Sequence, residues 1–370
     1  MMKLASRYTF AAIIAGASTC VNAQTSVTLY GTLDAGIEYL TNANKTHSSL
    51  VRLQSGNLWG DKWGLLIKED LGGGFNAFAQ LENGFNINDG TFGQGGRMFG
   101  RKALVGLSKD GTTLQMGRLY NPLYETTIPF DPTGYAQYSL ATHDTGFVGR
   151  EDNAVKLTQK YGNWSGMAFY SFGYDAVGTP YGGTAGGASQ AKELSFALTY
   201  DGPLLGAVAI YDNTHGPLTS TAAGLGNLST ALAPATSVAA DRAQRYMGAV
   251  KLKLPNNNVL AGYRYLRTSF YSGTPVTRDV STMFLGDQYT VAPEWLLTAA
   301  VYHSNVAGMD IRPTTAVFDV DYLLSKRTDV YLNMSYAWNT RLSTMGVDIA
   351  NSTLPGVNQF GVQAGLRMNF

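Results

Sequence analysis

The sequence predicts an all-β fold, a transmembrane antiparallel β-barrel of about sixteen strands, and three observations predict it. Both ends of the chain carry stretches with a side-chain period of two. Stretches of the same kind recur along the whole length. The connections between them alternate between short and long.

The stretch at 359–370 places Phe360, Val362, Ala364, Leu366, Met368 and Phe370 on one face. Gln359, Gln363, Arg367 and Asn369, with two glycines, take the other. At 27–38, Val27, Leu29, Leu33, Ala35 and Ile37 alternate with Thr28, Tyr30, Thr32, Asp34 and Glu38. One face of each suits lipid and the other suits water. Comparable segments lie at 62–70, 75–85, 100–108, 112–119, 153–161, 166–174 and 191–200. They continue at 204–212, 244–254, 258–268, 280–291, 294–303, 313–324 and 328–339. With the two ends this gives an even number near sixteen, as bacterial outer-membrane barrels require.

Short turns fall at 70–74, 109–111, 162–165, 201–203, 255–257, 292–293 and 325–327. Long, polar or glycine-rich connections fall between them, at 86–97, 120–152, 175–190, 213–242, 304–312 and 340–356. Short periplasmic turns and long extracellular loops are the barrel signature. Aromatics near strand ends, among them Trp59, Trp63, Tyr161, Trp164, Trp295, Tyr331 and Trp338, fit girdles at the lipid boundary. Composition agrees: 43 Gly, 22 Tyr and 16 Phe against 12 Pro describe strands and turns. Mean hydropathy is close to zero, because lipid-facing and lumen-facing residues cancel.

Residues 1–23 read as a cleaved export signal: Lys3 and Arg7, then an apolar run at 10–17, then Val21-Asn22-Ala23. The run is too short to span a bilayer, which takes about 20 residues. Thr19 before Cys20 argues against lipid attachment at that cysteine. Residues 24–370 then form one barrel domain without cysteine, and removing Lys3 and Arg7 leaves 25 basic against 26 acidic residues. That balance gives no case for nucleic-acid binding. His47, His143, His215 and His303 lack metal-site spacing, and no phosphate-cradling loop or Gly-x-Ser-x-Gly element is present. Neither a metal, a cofactor nor an enzymatic activity is expected.

The segment 120–152 carries Glu125, Asp131 and Asp144 with a Pro129-Phe130-Asp131-Pro132 kink. The polar parity of the strands offers Lys62, Lys68, Lys102 and Lys156 as lumen-facing cations. A loop folded inward sets carboxylates opposite these cations and screens solutes by size and charge. The same composition also suits a loop capping the outside.

Several motifs occur in order: Thr28-Leu29-Tyr30-Gly31-Thr32-Leu33-Asp34, Trp63-Gly64 with Glu69-Asp70-Leu71-Gly72-Gly73-Gly74, and Gln80-Leu81-Glu82-Asn83-Gly84-Phe85. Phe99-Gly100-Arg101-Lys102-Ala103-Leu104-Val105-Gly106-Leu107, Met116-Gly117-Arg118, Leu324-Ser325-Lys326-Arg327-Thr328-Asp329 and the terminal Phe370 follow. Over the whole mature chain they resemble the general diffusion porins of Gram-negative β-proteobacteria. The resemblance implies a sixteen-stranded homotrimer in outer-membrane lipids, a third loop folded into the lumen, and passive diffusion of small hydrophilic solutes and ions. It also implies that Phe370 is read by the outer-membrane barrel assembly machinery. Arg118 and Arg150 correspond to constriction cations, and Glu125 and Asp131 to the acidic loop. Parity opposes Arg118, which shares a register with Leu114 and Met116; a bulge at Gly117 reconciles the two. Where relatives carry an arginine after Trp63-Gly64, this chain has Leu65-Leu66-Ile67-Lys68. A substrate-specific channel and a sealed barrel serving as adhesin or enzyme remain the alternatives.

Overall fold

The computed structural model describes residues 25–43, 47–174, 191–232, 236–349 and 351–370. The export signal and the connection at 175–190 lie outside these residues.

Seventeen strand segments follow one another: β1 (Thr25–Leu40), β2 (Leu50–Ser55), β3 (Lys62–Gly72), β4 (Phe75–Gly84), β5 (Lys102–Lys109) and β6 (Thr112–Tyr120). Next come β7 (Arg150–Tyr161), β8 (Trp164–Ser171), β9 (Glu193–Asp201), β10 (Leu205–His215), β11 (Arg242–Lys253) and β12 (Asn257–Phe270). The last are β13 (Val276–Ala292), β14 (Trp295–Val306), β15 (Thr314–Leu323), β16 (Thr328–Trp338) and β17 (Gln359–Asn369). β1 pairs with β2 through its residues 35–40 and with β3 through 25–32, so these two segments form one interrupted stave. Sixteen antiparallel staves result, and β17 closes the sheet on β1, with Asp34 opposite Arg367 and Glu38 opposite Gln363. No helix among the described residues is long and apolar enough to cross a membrane, so the crossing is made by strands.

The alternation sets the two faces as expected. On β1, Ile37 is 62% exposed on the outer wall, whereas the adjacent Glu38 is fully buried inside. Trp164 lies 4.9 Å from Tyr200, and Trp295 lies 4.6 Å from Tyr322, beside the short turns. Tyr331 departs from the girdle expectation. It is buried on the lumen side, and its hydroxyl donates to Asp34 at 2.6 Å.

The segment 50–55 and the break after it were absent from the sequence reading. Asp34 explains the break: its second carboxylate oxygen accepts the N–H of Leu58 at 2.7 Å and of Trp59 at 2.8 Å. Backbone groups that would extend the ladder are thus turned inward. Gly56 has φ +67°, and a Cβ there would meet Gly60 Cα at 2.9 Å, so the excursion at 56–61 needs a glycine at its start.

The largest apolar cluster lies inside the barrel rather than between layers. Leu123, Phe130, Tyr138, Leu140 and Phe147 of the third loop pack there with Met247, Leu266, Phe284 and Tyr302 of the wall.

Candidate pore constriction

The third loop leaves β6 at Tyr120 and turns at once into a short helix, Pro122–Thr127. Asn121 caps it, its side-chain oxygen accepting the Tyr124 N–H at 2.9 Å, and Pro122 occupies a first-turn position where no N–H is needed. From there the loop is tied to the inner wall on several sides. Gln288 of β13 donates to the Pro132 carbonyl at 2.7 Å, and the Tyr138 hydroxyl donates to Glu38 of β1 at 3.0 Å. His143 sits between Ser304 of β14 and Thr315 of β15, at 2.8 Å from each. Asp144 meets Arg245 of β11 and Arg264 of β12. Burial opposes ionisation of Asp144, yet these two guanidinium groups hold its pKa below the ordinary value. Contacts with β1, β11, β12, β13, β14 and β15 carry the loop across the lumen, as the sequence led us to expect.

Opposite the helix lies the basic wall. Lys102 Nζ stands 4.6 Å and the Arg150 guanidinium 5.2 Å from the centre of the Tyr120 ring, and Arg150 also lies 5.5 Å from that of Tyr124. Arg101 donates to Glu82 at 2.8 Å and to the Tyr120 hydroxyl at 2.7 Å. The Tyr120 hydroxyl in turn donates to Glu82 at 2.8 Å. Lys62 Nζ lies 4.6 Å over Trp59, the tip of the inward excursion. Glu125 of the loop helix pairs with Lys156 of β7. Arg101 is thus neutralised by Glu82 and Lys156 by Glu125. Lys62, Lys102 and Arg150 make no ion pair among the described residues.

Arg118 reaches the lumen by the bulge. The β6–β7 register shifts between Gly117 and Leu119, and Gly117 has φ +131°, where a Cβ would meet the Ala103 carbonyl at 2.2 Å. The Arg118 side chain then donates to the Gly100 carbonyl at 2.7 Å and pairs with Asp152 at 2.6 Å. Lys68 stands apart from this group: it is exposed, six residues along β3 from Lys62. Asp131 also departs from expectation. It is 1% exposed, and it accepts hydrogen bonds from the Tyr302 hydroxyl and the Tyr135 N–H, both at 2.8 Å. That carboxylate shapes the loop instead of facing a water path.

Sequence reasoning missed Glu82, Arg101 and Trp59 at the wall, and Arg245 and Arg264 as anchors. Arg101 and Glu82 stood inside recognised motifs, but no local signal pairs them. At the barrel seam, Phe370 and Gly31 exchange backbone hydrogen bonds of 3.0 and 3.1 Å, and the Phe370 ring stays 42% exposed.

Residues 9–342 match the model of the Gram-negative porin family. An outer membrane porin protein of Bordetella pertussis is 37% identical over 44% of this chain, and that alignment spans 46% of its own length. Outer membrane porin protein 32 of Delftia acidovorans is 26% identical over 96% of this chain and 97% of its own. Among solved structures, the anion-selective porin from Comamonas acidovorans superposes with a TM-score of 0.79 at 20% identity, covering 94% of this chain and all of that one. An OmpF structure of Salmonella typhi gives a TM-score of 0.64 at 14% identity, over 93% and 97% of the two chains. The closed sixteen-stave barrel, the inward loop and the family match agree, and the chain belongs to the Gram-negative porin family of outer-membrane channels.

Proposed function

We propose that the protein forms a water-filled path for passive electrodiffusion of small hydrophilic solutes and ions, with a preference for anions. One observation carries the preference. Lys62, Lys102 and Arg150 stand on the wall without ion pairs among the described residues, whereas Glu125, the carboxylate of the loop helix, is already engaged by Lys156. A surplus of fixed positive charge in a narrow aqueous gap raises the local anion concentration. Arg118, paired with Asp152, contributes less. The anion-selective porin from Comamonas acidovorans, which shares the fold, supports the same direction.

No catalytic role is proposed. The functional unit is proposed to be a homotrimer in outer-membrane lipids, in keeping with the trimer form of the similarly folded OmpT of Vibrio cholerae. Removal of residues 1–23 and recognition of Phe370 by the assembly machinery belong to the same reading. Planar bilayers test it: stepwise ohmic conductance is expected, with a reversal potential of anionic sign in a salt gradient. Folded, inserted protein without conductance overturns the channel, and a cationic reversal potential overturns the preference.

A further inference from the structure

A second polar space lies beside the third loop, lined by its Gly146, Val148 and Gly149 and by Asn121, the cap of the loop helix. It is a cavity of about 290 Å³ whose lining includes Arg118, Arg150, Glu151, Glu193, Asp212 and Arg245. The strand order brings these groups together from β6, β7, β9, β10 and β11.

Two features of the cavity are unfinished. Glu193 is 2% exposed, and among the described residues its Oε1 has no hydrogen-bond partner. Glu151 and Asp212 line the same cavity, Glu151 accepting from Asn121 at 3.4 Å and Asp212 from Ser195 and Thr214. Three carboxyls gathered around one cavity favour a proton or a cation among them. Arg245, at 3.3 Å from Asp212, is shared with Asp144 and does not complete the set. The second feature is Arg150. Among the described residues its Nε is buried without a partner, and its Nη1 reaches the Val148 carbonyl at 3.1 Å. The other arginines named here are engaged, Arg118 by Asp152 and Arg245 by Asp144.

We propose that this cavity is a binding subsite for a small zwitterion carrying a primary ammonium and a carboxylate, the chemistry of a free α-amino acid. The ammonium supplies three donors, which suit the Glu151, Glu193 and Asp212 carboxyls. The carboxylate takes the Arg150 guanidinium, a charge-assisted contact. Neither half of the ligand satisfies both ends of the cavity.

Calorimetry on the folded protein in detergent tests this independently of conductance, so failure here is distinct from failure of the channel reading. L-serine is expected to bind saturably, with propionate, which lacks the ammonium and its three donors, and ethylamine, which lacks the carboxylate, each weaker by at least about tenfold. Glu193→Gln and Arg150→Lys are each expected to weaken L-serine by at least about tenfold. Heat-modifiable gel mobility reports folding of each variant, and Asp212→Asn replaces Glu193→Gln if the latter does not fold. Absence of saturable L-serine binding overturns the proposal. So does binding unchanged by the folded variants, or matched by propionate or ethylamine alone.

Discussion

Arg245 of β11 donates two hydrogen bonds, of 2.9 and 3.1 Å, to the two carboxylate oxygens of Asp144 in the third loop. Arg264 approaches the same carboxylate to 3.4 Å. All three side chains are essentially inaccessible to water. This bidentate contact fixes the loop to the wall far from its own strands.

Asp144→Ala therefore leaves the buried Arg264 without a carboxylate and Arg245 with Asp212 alone, a loss of about 3–5 kcal/mol. The heat-unfolding midpoint of the detergent-folded protein is expected to fall, and single-channel current to become noisier as the loop loosens. A quiet channel with an unchanged midpoint would assign the anchoring elsewhere.

Charge at the wall sets the second expectation. Lys62→Ala, Lys102→Ala and Arg150→Ala each remove a cation without an ion pair among the described residues, and each is expected to shift the reversal potential in a salt gradient towards cations. Arg118→Ala moves it in the same direction by less, because Asp152 already screens that charge. A larger shift from Arg118 than from Lys102 would reverse this ranking.

Burial first, and then the positive Arg264, lower the pKa of His143 from 6.5 to about 3. An unfolded chain thus binds a proton at this histidine between these two values, and the folded chain does not. Stability rises with pH wherever the unfolded state holds more protons, so this contribution is intact above pH 6.5 and declines as pH falls towards 3. The slope is at most about 1.4 kcal/mol per pH unit. Comparing the acid unfolding curves of the native protein and His143→Asn checks this, since the variant is expected to show a shallower dependence across that window.

Gly117→Val forces a branched side chain onto φ +131° and into the Ala103 carbonyl. A cost of at least about 1–3 kcal/mol is expected. Arg118 is also expected to lose its contact with Asp152. Folded yield and the unfolding midpoint both report it; a stable variant would show that the bulge does not depend on glycine.

Replacing Phe370 by Ser keeps the backbone pairing with Gly31 but removes the exposed ring. Outer-membrane yield is expected to fall much further than conductance per surviving channel. Equal losses in both would assign the ring to permeation, and normal yield would dismiss its part in assembly.

The staves were legible because lipid outside and water inside enforce a period of two on almost every segment. The segment 50–55 shares that period, with Val51 and Leu53 outward and Arg52 paired to Glu38, but it is short and ends at the Gly56 break. What cuts it off is Asp34, a residue sixteen or more positions earlier, and no local pattern reveals such a partner. Parity likewise identified Lys62, Lys102 and Lys156 as inward but said nothing of depth, so Lys68 was grouped with them. Asp131 and Glu125 look alike as loop carboxylates. Only the hydrogen bonds from Tyr302 and Tyr135 separate the one that shapes the loop from the one that faces Lys156. Arg118 needed both the family resemblance and the bulge, because strand alternation alone turns it outward.

A hollow barrel has no interior of its own to hold its walls at a fixed spacing. Here the third loop supplies that interior, with Leu123, Phe130, Tyr138, Leu140 and Phe147 wedged against Met247, Phe284 and Tyr302. The object that narrows the path is therefore also the strut that keeps the cylinder round. Permeability and stiffness are mechanically linked: trimming the loop to admit larger solutes softens the frame, and selection for a wider aperture must find its rigidity somewhere else.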